Sequence, residues 1–83
     1  MSSVFMSYMT TALTNEMDNL AKTLSPAKAI NEWKQNLDSI FERAVDQAME
    51  AMLEESSVRS ERDEAFGDAT QWREIGEAYK SLQ

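Results

Sequence analysis

The fold is decided by one uninterrupted stretch, residues 26–55, with the sequence PAKAINEWKQNLDSIFERAVDQAMEAMLEE. After its opening proline it contains no glycine and no second proline, so no residue in it breaks helical hydrogen bonding. Apolar side chains recur at helical spacing and fall within about 120° of one another on a helical wheel. These are Ile30, Trp33, Leu37, Phe41, Ala44, Val45, Ala48 and Met52. The pattern predicts a single amphipathic helix over 26–55, about 45 Å long.

The residues before this stretch predict an earlier helix and a sharp boundary. Pro26 disfavours helical backbone at Ser25 but suits the first position of a new helix, which the Ser25 hydroxyl can cap. Upstream, residues 3–24 carry an apolar stripe at steps of three and four residues, which is typical of a helix that packs along another helix. The stripe comprises Met6, Met9, Leu13, Met17, Leu20 and Leu24. Together, the two segments predict a long antiparallel helical hairpin.

The rest of the chain predicts a polar connector and a short third helix. Residues 56–68 are mostly polar or charged, and we interpret Gly67 as a helix stop. Asp68, followed three residues later by Gln71, matches the capping pattern of a helix start. A helix over 69–82 then carries apolar residues at steps of three, four and three, namely Trp72, Ile75, Tyr79 and Leu82. The predicted fold is one all-α domain.

Size and burial predict that this domain assembles into a homo-oligomeric bundle. A chain of 83 residues without Cys or His lacks the disulfides and the commonest metal ligand that support small domains. A 45 Å helix also exceeds the roughly 30 Å diameter of a compact globule of this length. The first helix has a second apolar strip, Phe5, Tyr8 and Ala12, which a single hairpin partner could not also cover. The predicted partner or self-association surface is therefore Phe5, Met6, Tyr8, Met9 and Ala12, the alternative being that the methionines are ordinary core residues.

The charge of the chain is acidic and unevenly distributed. The formal net charge is −7, which argues against direct nucleic-acid binding, because that affinity comes largely from Lys and Arg. Five acids form a ladder at four-residue spacing: Asp38, Glu42, Asp46, Glu50 and Glu54. The ladder is interpreted either as a solvated face or as a surface that imitates phosphates and docks on a basic partner. Met49 and Leu53 lie on the same side, where they are either isolated exposed apolar residues or part of a mixed docking strip.

No catalytic, cofactor or metal site is expected. Without His and Cys, the usual near-neutral base and thiolate chemistry are missing. A calcium loop centred on Gly67 would need acidic ligands where Arg62 and Arg73 stand. We expect a non-enzymatic partner-binding protein, a small helical adaptor or inhibitor that occludes or bridges another protein. Two alternatives stay open, an acidic competitor for the site of a basic nucleic-acid-binding protein and a structural subunit of a helical assembly.

Targeting features are sparse. No run of 18 apolar residues predicts a membrane span, and the first residues lack the basic start of a secretory signal, so a soluble cytoplasmic protein is expected. In size and in its proline-marked turn the chain resembles small helical-hairpin proteins of bacterial secretion systems. In composition it resembles small acidic helical inhibitors made by bacteriophages, and that resemblance implies a bacteriophage protein as one identity. Neither resemblance includes a shared motif, so neither implies a role for any residue.

Overall fold

The computed structural model describes residues 3–55 and 61–82, and the described residues form four α-helices. Their bounds are α1, Ser3–Thr23; α2, Pro26–Gln35; α3, Leu37–Glu54; and α4, Arg62–Ser81. The all-α prediction is confirmed for this part of the chain. The molecule has a radius of gyration of 13.5 Å and principal extents of 40 × 27 × 16 Å. None of the described helices is both long and apolar enough to cross a membrane.

The boundary between α1 and α2 lies where the sequence predicts it. Ser25 has extended backbone, with φ −64° and ψ 158°, and Pro26 takes the first helical position. The Ser25 hydroxyl accepts a hydrogen bond from the backbone N–H of Lys28 at 3.4 Å. The cap satisfies one of the donors that a helix start leaves unpaired.

The prediction of one helix over 26–55 is wrong, because the segment is divided at Asn36. This residue has φ −116° and ψ 24°, outside the helical range. Its side-chain amide donates to the backbone carbonyl of Glu32 and to the Glu32 carboxylate, both at 3.0 Å. The backbone N–H of Asn36 donates to the same Glu32 carbonyl at 3.0 Å, so side chain and backbone share one acceptor where the dihedral angles leave the helical range. The two shorter helices fit within the 40 Å extent of the molecule, so helix length no longer argues for an oligomer.

The fourth helix begins earlier than predicted. It starts at Arg62 with Glu61 at its N-cap position, so the prediction of a connector is wrong for residues 62–68. Residues 56–60 of that predicted connector lie outside the described residues. The predicted helix 69–82 is only the later part of α4.

Gly67 does not stop this helix, and Asp68 does not cap it. Both residues lie inside α4, and Asp68 is buried. The physical reason is tertiary packing, because Ala65 and Ala69 are buried in the main core cluster. Burial of these flanking positions outweighs the low helix propensity of a single glycine, which is worth about 1 kcal/mol.

The third helix is the centre of the molecule, with α1 and α4 both packed against it. One core cluster joins these helices through Phe5, Met9, Ala12, Ala44, Val45, Ala48, Met49, Met52, Ala65 and Ala69. A second cluster, Leu37, Ile40 and Phe41, lies at the start of α3 and is covered by Leu13, Leu20, Trp33 and Trp72. The predicted core face is therefore correct within α3. It is wrong for Ile30 in α2, which is 48% exposed.

Candidate functional site

The predicted N-terminal association surface lies mostly inside the molecule. Phe5 and Met9 are fully buried and Ala12 is nearly so, whereas Met6 and Tyr8 are half-buried. The three buried residues belong to the cluster formed with α3 and α4. Helices of the same chain therefore cover the second apolar strip of α1, and this strip does not require a second copy to bury it.

The first three acids of the ladder are paired with bases on α4. The Lys80 ammonium donates to Asp38 Oδ2 at 3.0 Å. Arg73 Nη2 donates to Asp46 Oδ1 at 3.1 Å, and Arg73 Nε lies 3.2 Å from Glu42 Oε1 without the alignment of a hydrogen bond. Two bases on one helix thus bind three acids on its neighbour. This half of the ladder connects α3 to α4, a role that neither sequence interpretation includes.

The remainder of the ladder is solvated, and the residues beside it point inward. Glu50 and Glu54 are exposed and make no ion pair with any described residue. Met49 is 9% exposed and part of the main core cluster, and Leu53 packs against that cluster. Met49 is therefore a core residue and not part of an exposed docking strip, whereas Leu53 is half-buried at the edge of the core.

A polar cleft of about 260 Å³ between α3 and α4 is lined by Asp38, Ser39, Glu42, Arg73 and Glu77. The hydrogen bond from Lys80 holds the pKa of the Asp38 carboxyl below its usual value, and partial desolvation opposes this shift. Asp38 Oδ1 is buried and has no hydrogen-bond partner among the described residues. Of the acids that line this cleft, Glu42 is paired with Arg73 and Asp38 with Lys80, so these two carboxylates are bound by bases of α4.

A second polar contact, between α1 and α3, was not foreseen from the sequence. Glu16 is 7% exposed, and its carboxylate accepts hydrogen bonds from Arg43 Nε at 3.1 Å, Arg43 Nη2 at 3.2 Å and Gln47 Nε2 at 3.2 Å. The sequence signal is that Glu16 continues the row of Phe5, Met9 and Ala12 at helical spacing. Bidentate pairing with a guanidinium constrains the geometry of a carboxylate, so this contact ties α1 to α3 at one defined point.

A shallow groove of about 320 Å³ runs beside that contact. It is lined by Tyr8, Thr11, Ala12, Asn15, Gln47 and Ala51. Its lining mixes small apolar residues with amides and hydroxyls, and it contains no charged side chain.

The most exposed apolar row among the described residues lies on the C-terminal half of α4 and its C-cap residue, Leu82. Ile75 is 41% exposed, Tyr79 44% and Leu82 86%, and we call these three residues the α4 stripe. The sequence groups them with Trp72 in one apolar row at helical spacing. Trp72 is half-buried and packs edge-on against Phe41, with 5.6 Å between the ring centroids, but the α4 stripe turns outward.

Small residues explain this rotation of α4. The buried residues of α4 are Ala65, Asp68, Ala69 and Gly76, and the three small ones lie roughly 90° around the helix from the α4 stripe. A Cβ placed on Gly76 would lie 3.1 Å from Phe41 Cβ, so the two helices approach closely there. Because close approach requires small side chains, α4 packs through its alanines and glycine, and its larger apolar residues remain at the edge. Their spacing of four and seven residues is the signal that could have identified this face.

Contacts of two neighbouring residues of α4, Gly76 and Lys80, show where the α4 stripe lies in the molecule. Gly76 lies against Phe41, and Lys80 binds Asp38, so this half of α4 covers the start of α3. The α4 stripe begins one turn after Trp72, at the end of the molecule where Leu20, Trp33 and Trp72 cover the second core cluster. The α4 stripe therefore extends a partly covered apolar region into solvent.

Within the described residues, no group of three or more His, Cys, Asp or Glu side chains is placed to hold a metal ion. Comparisons with protein-family models, with curated proteins and with solved structures give no match.

Proposed function

We propose that the protein is a non-enzymatic partner-binding protein, an adaptor or inhibitor that occludes or bridges another protein. The observation that supports this proposal is the α4 stripe, in which three large apolar side chains within two helical turns are each at least 41% exposed. Single exposed apolar residues are ordinary, but a row at helical spacing matches the way an amphipathic helix engages a partner.

The acidic-competitor alternative has weaker support. Imitation of phosphates needs a row of unpaired negative charges, whereas Asp38, Glu42 and Asp46 are each within 3.2 Å of a base on α4. The two remaining acids of the ladder, Glu50 and Glu54, are too few to imitate a nucleic-acid strand, which carries one phosphate about every 3.4 Å.

The proposal is tested by comparing what three forms of the full chain capture from an extract of cells that express it. The wild type is compared with the variant Ile75→Ser with Tyr79→Ser. The matched control is Phe66→Ser, since Phe66 is 47% exposed on the same helix but on its opposite flank. We expect at least one protein that the wild type and the control retain and the double variant loses. Identical captures by all three forms would contradict docking through the α4 stripe.

A further inference from the structure

Ile30 is exposed although it belongs to the apolar row of segment 26–55. On a continuous helix it would lie within about 20° of both Leu37 and Phe41, and these two residues are buried on the core face of α3. In the structure Ile30 is 48% exposed, and the buried residue of α2 is Ala29. The division of the segment therefore leaves outside an apolar side chain that a continuous helix would align with the core face.

The interruption that divides α2 from α3 is confined to Asn36. Helical hydrogen bonds remain on both sides of it, from the Asn36 N–H to the Glu32 carbonyl at 3.0 Å and from the Ile40 N–H to the Asn36 carbonyl at 2.9 Å. The Asn36 side-chain amide adds bonds to the same Glu32 carbonyl and to the Glu32 carboxylate, each at 3.0 Å. Residues 27–55 contain no glycine or proline, so the segment has no other residue that strongly breaks a helix.

We infer that Asn36 is a conformational hinge, whose side chain holds segment 26–54 in the divided form against a competing form in which α2 and α3 are one continuous helix. Asparagine is suited to this role because its side chain bonds nearby backbone groups and thereby lowers its helix propensity. The continuous form exchanges the side-chain bonds of Asn36 for the backbone bonds of an unbroken helix, and it aligns Ile30 with Leu37.

The two forms differ at one end of the molecule. α2 supplies Trp33, which packs with Leu20 and Trp72 on the second core cluster, where the α4 stripe begins. A change in how α2 joins α3 therefore changes how this cluster is covered. A ligand that binds one of two forms better increases the population of that form, so the hinge makes this end of the molecule adjustable. The inference does not depend on the proposed function.

The test substitutes Asn36→Ala, which removes the side-chain bonds and raises the helix propensity of this position. The matched control is Asn31→Ala, an exposed asparagine of α2 whose side-chain oxygen accepts a hydrogen bond from the Gln35 amide at 3.5 Å. The readout is hydrogen exchange at the Leu37 amide, measured by NMR. This N–H lies at the first position of α3, where a helix start leaves donors unpaired, whereas a continuous helix gives it a backbone acceptor. We expect Asn36→Ala to slow this exchange by at least about threefold and Asn31→Ala to change it by less than about 1.5-fold.

A thiol at position 30 measures the position of α2 independently. The chain has no cysteine, so a thiol reagent labels an Ile30→Cys variant at this site alone. We expect labelling in the variant that keeps Asn36, and labelling at least about threefold slower when Asn36→Ala is added, because a continuous helix aligns position 30 with the core face. Adding Asn31→Ala instead should leave the labelling rate unchanged.

Three results would overturn the inference. Unchanged exchange at Leu37 in Asn36→Ala would assign the division of the segment to tertiary packing. Equal slowing by Asn31→Ala and Asn36→Ala would assign it to helix propensity without a role for the Asn36 amide. Faster labelling at position 30 in the Asn36→Ala background, with helicity lost by circular dichroism, would mean that α2 unfolds and that no continuous form competes.

Discussion

The two glycines of α4 should respond in opposite ways to the same substitution by alanine. Gly67 is a solvent-exposed residue in the interior of α4. Apart from its chain neighbours and the backbone of its own helix, no atom lies within 4 Å of the position that a Cβ would take. Alanine gains about 0.8–1 kcal/mol over glycine in a helix interior, and at this position it meets no steric cost. Gly67→Ala should therefore raise the free energy of unfolding by about 1 kcal/mol, and the melting temperature by about 4–8 °C.

Gly76→Ala should have the opposite effect because α3 occupies the space. The added Cβ would lie 3.1 Å from Phe41 Cβ, 3.2 Å from Phe41 Cδ2 and 3.3 Å from Asp38 Cα. The Asp38 contact is with backbone, which cannot rotate away as a flexible side chain can. Overpacking typically costs about 1–3 kcal/mol and exceeds the propensity gain of about 1 kcal/mol, so we expect a net destabilisation on the order of 1 kcal/mol.

Thermal and urea denaturation followed by far-ultraviolet circular dichroism measure both effects, and each glycine is the control for the other. If Gly67 ended a helix, as the sequence predicts, alanine would leave the melting temperature unchanged or lower it. That result would refute an α4 that continues through Gly67. A Gly76→Ala variant more stable than the wild type would refute the close approach of α4 to Phe41.

Three further predictions concern the core and its polar contacts. Leu37→Ala should lower the free energy of unfolding in urea by about 2–5 kcal/mol. An unchanged urea midpoint would mean that Leu37 is not on the buried face of α3. Glu16→Gln keeps the side-chain volume but weakens the bonds from Arg43, which is 56% exposed, so we expect a loss of about 1–2 kcal/mol; wild-type stability would contradict a net stabilising contribution from this contact. Because Lys80 lowers the folded pKa of Asp38, this pair stabilises the fold above the ordinary pKa of aspartate, and the contribution disappears as pH falls through the lowered value. The stability difference between wild type and Lys80→Met should therefore shrink on acidification in urea titrations, and a constant difference would contradict the linkage.

An oligomer remains a prediction with fewer grounds than the sequence suggests. Two of its three grounds are weakened by the structure: the predicted single helix is divided at Asn36, and Phe5 of the second strip is buried within a single chain. Light scattering at micromolar concentration measures the oligomeric state directly. A measured mass near the monomer value of 9.4 kDa, with full helicity, would contradict the prediction of an oligomer.

Local chemistry by itself determined the helical class, the boundary at Ser25 and the buried face of α3. Helix formation follows from few glycines and prolines, and the Ser25 cap needs only residues 25–28. The buried face of α3 is correct because Leu37, Phe41 and Val45 are large apolar residues on a face opposite the solvated acids Glu50 and Glu54. These features depend on neighbours within one or two helical turns, so the sequence pattern contains the necessary information.

Only the tertiary structure decided which apolar rows stay outside and which charges are paired. α1 and α4 each carry more than one row that could be buried, and the choice depends on how closely each helix approaches α3. Ala65, Ala69 and Gly76 allow the closer approach, so they are buried and Ile75 is left exposed. Three of the ladder acids, Asp38, Glu42 and Asp46, are bound by Arg73 and Lys80, because the same rotation of α4 places those bases beside α3. The energy of each arrangement depends on contacts between residues far apart in sequence. The periodicity within one helix contains no information on how closely that helix approaches another.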